Sequence, residues 1–272
     1  MNLPTFNPAD SAASGHSLAA TAPPARVQPL LALENVSLRY RLAKQRLPSF
    51  KDYAIHWVKG TLTYESFWAL TEVGFEVARG EVIGVVGRNG AGKSSLLKVI
   101  SGILEPTSGS VRFDGRIAPI LELGTGFDHE LTGRENIFLN GMLLGRTRKE
   151  IRERLDSIIE YSELGDFIES PIRAYSSGML GRLGFSIASA WTPDLLILDE
   201  VFAAGDAGFT RKCEKTIANF RDAGVTILLV SHSAQIVLET CSRALWLERG
   251  RLVADGKPDE VVPAYDKSTY AV

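Results

Sequence analysis

The apolar positions of this chain change period several times, and each change marks an element. Apolar and polar residues alternate over residues 31–40 (LALENVSLRY) and again over 69–77 (ALTEVGFEV), which predicts two half-buried strands. Residues 82–86 (VIGVV) form an unbroken apolar run, as expected of a strand buried on both faces. A Gly-rich turn and a helix over 92–101 follow, then short strands around 110–113 and 117–121. The next stretch is mostly helical, with helices at 135–144, 149–161 and 177–190. Buried strands return at 195–198 and 225–230, joined by a helix at 210–220. Short strands at 244–247 and 251–254 and a helix at 258–265 end the pattern. Strands and helices in this alternation predict an α/β fold with a parallel core sheet covered on both faces.

Residues 1–29 are rich in Ala, Ser and Pro, with little to bury, and read as a flexible low-complexity tail before a folded unit at 30–272. Between the first two strands lies an insertion at about 41–65. Within it Phe50, Tyr53, Ala54, Trp57 and Val58 share one helical face opposite Lys51, Asp52, His56 and Lys59, with Ser49 placed to cap and Gly60 to stop. Such a helix either packs on the surface or offers its aromatic face to a membrane partner.

Composition narrows the classes. Hydrophobic residues make up 45% and charged residues 23%, as in an ordinary globular protein. Lys+Arg 30 against Asp+Glu 32 gives a net charge of −2, so there is no global field to hold nucleic acid. The longest apolar runs, VIGVVG and TILLV, fall far short of the roughly 20 residues that span a bilayer. The first 29 residues have neither a basic n-region nor an apolar h-region, which points to the cytoplasm. Cys213 and Cys241 are then expected as small core residues, with no disulfide and no metal inferred from them.

The chemistry is carried by Gly87-Arg88-Asn89-Gly90-Ala91-Gly92-Lys93-Ser94, which fits G-x-x-x-x-G-K-[ST] after a strand and at the start of a helix. Its glycines let backbone N–H groups wrap phosphates, Lys93 reaches the β- and γ-phosphates, and Ser94 is placed to ligate Mg²⁺, with Ser95 next in the helix. The run Leu195-Leu196-Ile197-Leu198-Asp199-Glu200 ends an apolar strand in two acids at the sheet edge where ligands collect. Asp199 is the candidate Mg²⁺ ligand and Glu200 the candidate general base. His232 follows the next apolar strand, where it can bond a γ-phosphate.

The order of these motifs, with Tyr175-Ser176-Ser177-Gly178-Met179 about 20 residues before Asp199, resembles the ABC ATPases from about Leu30 to the end of the chain. The resemblance implies a P-loop nucleotide-binding domain with a parallel core sheet, an antiparallel β subdomain and a helical signature subdomain at about 127–190. It implies ATP and Mg²⁺ as ligands and a homodimer with ATP at the interface. Ser176 and Gly178 match positions that touch the γ-phosphate of the ATP held by the opposite subunit. Asp206 matches the loop that crosses the dimer interface. Tyr40 matches the aromatic that stacks on adenine, with Phe67 or Trp68 as second choices. Two features depart from the general pattern: Ser177 and Met179 replace a glycine and a glutamine, and the usual metal-sensing glutamine has no counterpart. Glu122 is the candidate for that coupling position.

These departures are similar to one branch of the family, the ATPases that export polysaccharides such as O-antigen and teichoic acid. The branch shares the LELG-x-GF, TGRENI and S-S-G-M stretches and the aromatic insertion. It implies a motor at the cytoplasmic face of the inner membrane, driving a separately encoded transmembrane channel for lipid-linked polysaccharide, with residues 50–59 as a candidate gate. Only 40 residues follow His232, leaving no room for a carbohydrate-binding domain, so export independent of cap recognition by this subunit is expected. The competing readings are an ABC ATPase for another solute and a soluble, non-transport ABC ATPase. A P-loop kinase or GTPase would not need residues 175–179 where they stand.

Overall fold

The computed structural model describes residues 28–43, 64–120, 126–199, 206–231 and 233–270. Strands β1 (Leu31–Ala43), β2 (Tyr64–Val77) and β4 (Ser108–Phe113) form an antiparallel sheet in the order β2-β1-β4. Strands β5 (Ile117–Ile120), β6 (Leu195–Leu198), β7 (Thr226–Val230), β3 (Val82–Val86), β8 (Arg243–Glu248) and β9 (Arg251–Gly256) form a second sheet in that order. Its pairs are parallel except β8 with β9, a hairpin that adds an antiparallel edge to the expected parallel sheet.

Continuous apolar strands arise because both faces of this sheet are covered, and the side chains alternate between two cores. Leu195, Ile197, Leu228 and Val230 face one cluster, shared with the antiparallel sheet and helix α1 (Lys93–Ile100). Leu196, Leu198, Ile227 and Leu229 face the other, where Phe209, Cys213, Ile217 and Phe220 form one stripe of helix α5 (Ala207–Asp222). Cys213 is buried there, and Cys241 lies against Gly84 of β3. Burial pushes both thiols from an ordinary 9.0 up to about 12. Because the folded thiols hold their protons while unfolded ones ionise, this contribution to stability is full below about pH 9 and is lost as pH rises towards 12. The native protein is therefore expected to leave both cysteines unreacted with a thiol reagent near pH 8 and to expose both in concentrated urea; rapid native labelling would contradict this.

Helices α2 (Gly133–Leu143), α3 (Arg148–Ser162) and α4 (Ser177–Ala188) carry a core of their own, including Ile137, Ile151, Ile158, Leu183 and Ile187. Two capping boxes start this block: Thr132 with Glu135, and Thr147 with Glu150. The TGREN stretch also has a structural task. Fully buried Asn136 accepts from the Asp128 N–H at 2.8 Å and donates to the carbonyls of Asp128, Leu131 and Thr132, pinning the preceding loop. A Cβ at Gly133 would stand 2.4 Å from the Tyr175 hydroxyl, which donates to the Phe167 carbonyl. Glycine there lets Tyr175 hold the turn before α4. Helix α4 faces two ways, since Leu183 and Ile187 join the helical core while Phe185 packs against Leu196, Leu198 and Phe209.

Three differences from the expected elements have local causes. Antiparallel pairing of Tyr40 with Phe67 and of Ala43 with Tyr64 carries both first strands past their expected ends, so the insertion between them shortens to 44–63. Asp206 caps α5 through the N–H groups of Gly208 and Phe209, starting it earlier than expected. Ser233 caps an additional short helix, α6 (Ala234–Thr240), whose Val237 packs with Val261 and Val262 of the last helix, α7 (Pro258–Tyr270). The aromatic helix expected at 50–59, the tail at 1–27, Glu122, Glu200 and His232 lie outside the described residues. Among the described residues no helix is long and apolar enough to cross a membrane.

Candidate nucleotide site

Where β3 ends, the chain turns into α1 through residues 87–92, and its glycines are demanded by close approach. A Cβ at Gly87 would lie 2.3 Å from the Leu247 carbonyl oxygen. Gly92 caps α1 in the left-handed region, φ 106°, and a Cβ there would lie 2.5 Å from the Ala69 carbonyl oxygen. With no side-chain cap on α1, its first N–H groups point to whatever anion the loop cradles. Gly92→Ala is expected to cost about 2–3 kcal/mol in urea unfolding, since both the dihedral and the carbonyl contact oppose it; an unchanged midpoint would contradict this geometry.

Lys93 is 7% exposed. Its ammonium donates to the carbonyls of Gly87 at 2.6 Å and Arg88 at 3.2 Å, bridging the base of the loop. Burial pulls the Lys93 pKa below its ordinary value, and the nearby Asp199 carboxylate opposes that shift. A buried cation beside an acid and open N–H groups is suited to polyphosphate.

These groups line one cavity of about 620 Å³, within the usual range for a small-molecule site. Asn89, Gly90, Ala91, Gly92, Lys93, Ser94, Ser95 and Asp199 form its polar end, and Tyr40, Phe67 and Trp68 its aromatic end. Tyr40 and Phe67 are paired across β1 and β2, with ring centroids 5.3 Å apart. The Tyr40 hydroxyl lies 3.4 Å from Ser95 Oγ, at the start of α1. Trp68 pairs with Arg39 on the neighbouring register position, and the Arg39 guanidinium lies 5.3 Å from its ring centre. Tyr40 and Phe67 thus bring a pair of rings to the cavity, and Trp68 is also in its lining.

Arg249 and Gly250 also line the cavity, and sequence reasoning passed over them. Both have positive φ, 47° and 78°, at the tip of the β8–β9 hairpin. Gly250 donates to the Ala91 carbonyl and accepts from the Thr71 N–H, each at 2.8 Å, fastening the tip to the phosphate loop and β2. The Arg-Gly step between two short strands marks a turn in the sequence, but its place beside residue 91 depends on tertiary pairing.

Ser176, Gly178 and Asp206 are absent from the lining of this cavity. Ser176 is exposed and caps α4, its oxygen accepting from the Met179 N–H at 3.2 Å, which leaves its O–H free to donate. Ser177 is exposed, whereas Met179 packs against the helical core. The chain thus presents a cavity with Lys93 and, apart from it, a helix N-terminus with a serine and a glycine. Among the described residues no cluster of three or more His, Cys, Asp or Glu could hold a metal by itself.

The chain matches the family model described as ABC transporter over residues 70–203. It is 46% identical over 244 residues to the O-antigen export system ATP-binding protein RfbB of Klebsiella pneumoniae, an alignment covering 89% of this chain and 99% of that protein. It is 39% identical over 235 residues to the teichoic acids export ATP-binding protein TagH of Staphylococcus saprophyticus, covering 86% and 87%. Among solved structures it is similar in fold to an ATP-binding cassette in a dimeric, post-hydrolysis state bound to ADP and Pi. That match has a TM-score of 0.64 and 21% identity, and covers 84% of this chain and 98% of the other.

Proposed function

The chain belongs to the ABC transporter family of ATP-binding proteins, in the branch of the polysaccharide-export ATPases, and from that premise we propose that it is the ATP-hydrolysing motor of an exporter for lipid-linked polysaccharide. The observation that carries this reading is the match to nearly the whole of an O-antigen export ATP-binding protein in a chain whose described cavity is built for a nucleoside triphosphate.

Two copies would close around two ATP molecules. In each cavity the Tyr40–Phe67 platform takes the adenine, while Asn89, Gly90, Ala91, Gly92, Lys93 and Ser95 receive the phosphates and Gly87, outside the lining, starts the loop that carries them. The exposed Ser176 hydroxyl and Gly178 of α4 reach the γ-phosphate of the other copy's nucleotide, which accounts for their position outside their own cavity. Asp206 lies at the same interface.

The donor set suits Mg²⁺, because the Ser94 hydroxyl and the Asp199 carboxylate are hard oxygen ligands in one cavity, too few to bind it without phosphates. Ser94 and Asp199 would hold Mg²⁺ there, and its charge would offset that of the β- and γ-phosphates. Glu200, one peptide beyond Asp199, orients and deprotonates the attacking water, and His232 bonds the γ-phosphate. Glu122 occupies the position that couples the nucleotide to the membrane subunit.

Closure with ATP and reopening after hydrolysis drive a separately encoded transmembrane channel from the cytoplasmic face of the inner membrane. The helical block at about 127–190 and the insertion provide the contact with it. The test is purification of a tagged chain from membranes of its source organism. A co-purifying membrane-spanning protein and ATP hydrolysis raised by it are expected. A chain recovered free of membranes, with no such partner, would favour a non-transport ATPase.

A further inference from the structure

Arg182 lies on α4, six residues beyond the N-cap Ser176, or about 9 Å along a rigid helix. Its side chain is mostly covered, 19% exposed, with the guanidinium 5.2 Å from the centre of the Phe209 ring. It donates to two carboxylates from different elements: Glu163, the C-cap of α3, at 3.3 Å, and Asp206, the N-cap of α5. Glu163 also receives the Lys212 ammonium at 2.8 Å, which holds it in place from α5.

The Asp206 carboxylate is divided between two tasks. One oxygen accepts the Gly208 N–H at 2.8 Å and the Phe209 N–H at 3.0 Å, and the other meets Arg182. The two backbone bonds, with Arg182 added, hold its pKa below the ordinary carboxylate range, so it is charged at neutral pH. Serine or asparagine caps a helix as well as aspartate does, so the cap alone does not require an acid. The charge is shared between the helix N-terminus and the arginine.

This pairing joins two parts of the chain that act on different nucleotides. Asp199 lines the chain's own cavity, and Asp206 follows it by seven positions in the chain. At the start of α4, Ser176 and Gly178 stand outside that cavity. We propose that Arg182 is a positioning residue for ATP hydrolysis, locking the signature helix to Asp206 at the start of α5 so that a copy's own site and the site it completes on its partner stay in register. This rests on the reading that Ser176 and Gly178 serve the nucleotide of a second copy.

The experiment is a double-mutant cycle in the full-length protein with Arg182→Met, Asp206→Asn and the double variant, plus Arg182→Lys. Asn keeps the cap and removes the charge, so a folded comparison remains even where Arg182→Met fails to fold. Each single variant is expected to lower kcat by about tenfold to a hundredfold, as small misplacements of reacting groups do, and the double variant no further than the worse single one. Equilibrium affinity for ATP at the chain's own cavity is expected to stay within about twofold, and kcat of Arg182→Lys is expected to fall between those of wild type and Arg182→Met. ATP-dependent dimerisation in a Glu200→Gln background is expected to weaken in step with kcat. Effects that multiply in the double variant, an unchanged kcat, or a loss confined to Tm would overturn the proposal. Wild-type protein that neither hydrolyses ATP nor dimerises would remove the functional reading, and this proposal with it, whereas an active wild type with an uncoupled cycle removes the proposal alone.

Discussion

Lys93→Ala is expected to weaken ATP binding by about a hundredfold or more, because charge-assisted bonds to two phosphates are worth roughly 1.5–3 kcal/mol each. The buried ammonium already sits at the base of the loop on the Gly87 and Arg88 carbonyls, beside Asp199. Its burial is opposed by desolvation, so removing it relieves one cost while deleting two hydrogen bonds, and unfolding stability should shift by only about 1 kcal/mol. Calorimetry of ATP binding together with urea unfolding separates the two quantities. Wild-type affinity in a folded Lys93→Ala protein would take the phosphates away from this loop.

Glu200→Gln should bind ATP normally, hydrolyse it about a hundredfold or more slowly, and accumulate as an ATP-bound dimer, since a positioned general base contributes 10²–10⁴-fold. The neighbouring Asp199 is in the cavity at the end of a fully buried strand, which places the acidic step at the phosphate end of the site. The amide keeps the shape of the carboxylate and cannot accept the proton. Chromatography with and without ATP, alongside phosphate release, reads both consequences. Normal turnover would exclude Glu200 as the base.

Features visible in the sequence are those whose physics is local. The alternation within Leu195–Leu198 is hidden in an unbroken apolar run, yet that run announces a strand buried on both sides, and residues 195–198 are where β6 lies. The G-x-x-x-x-G-K-S spacing places Lys93 at the first turn of α1 because strand, turn and helix are contiguous in the chain. Contacts between distant segments were not legible. Gly250 is tied to Ala91, and Arg182 to Asp206, by pairings that appear only when sheet and helices are assembled. β1 and β2 reach past residues 40 and 69 because Arg41–Ala43 and Tyr64–Trp68 are too short and irregular to show a period, and are strands only because they pair across the sheet. Tyr40 was singled out by resemblance; its pairing with Phe67 instead of Trp68 is set by the strand register. The helix Ala234–Thr240, seven residues long, is too short for its period to be read, and is held by Val237 against the last helix.

Replacing the chromosomal gene with one encoding Glu200→Gln, then profiling surface polysaccharide beside the internal lipid-linked precursor, tests motor and cargo together. Surface polysaccharide is expected to disappear while lipid-linked glycan accumulates inside the cell. An unchanged surface, with the variant protein present and its ATP hydrolysis lost, would contradict polysaccharide export and leave an ATPase that drives something else.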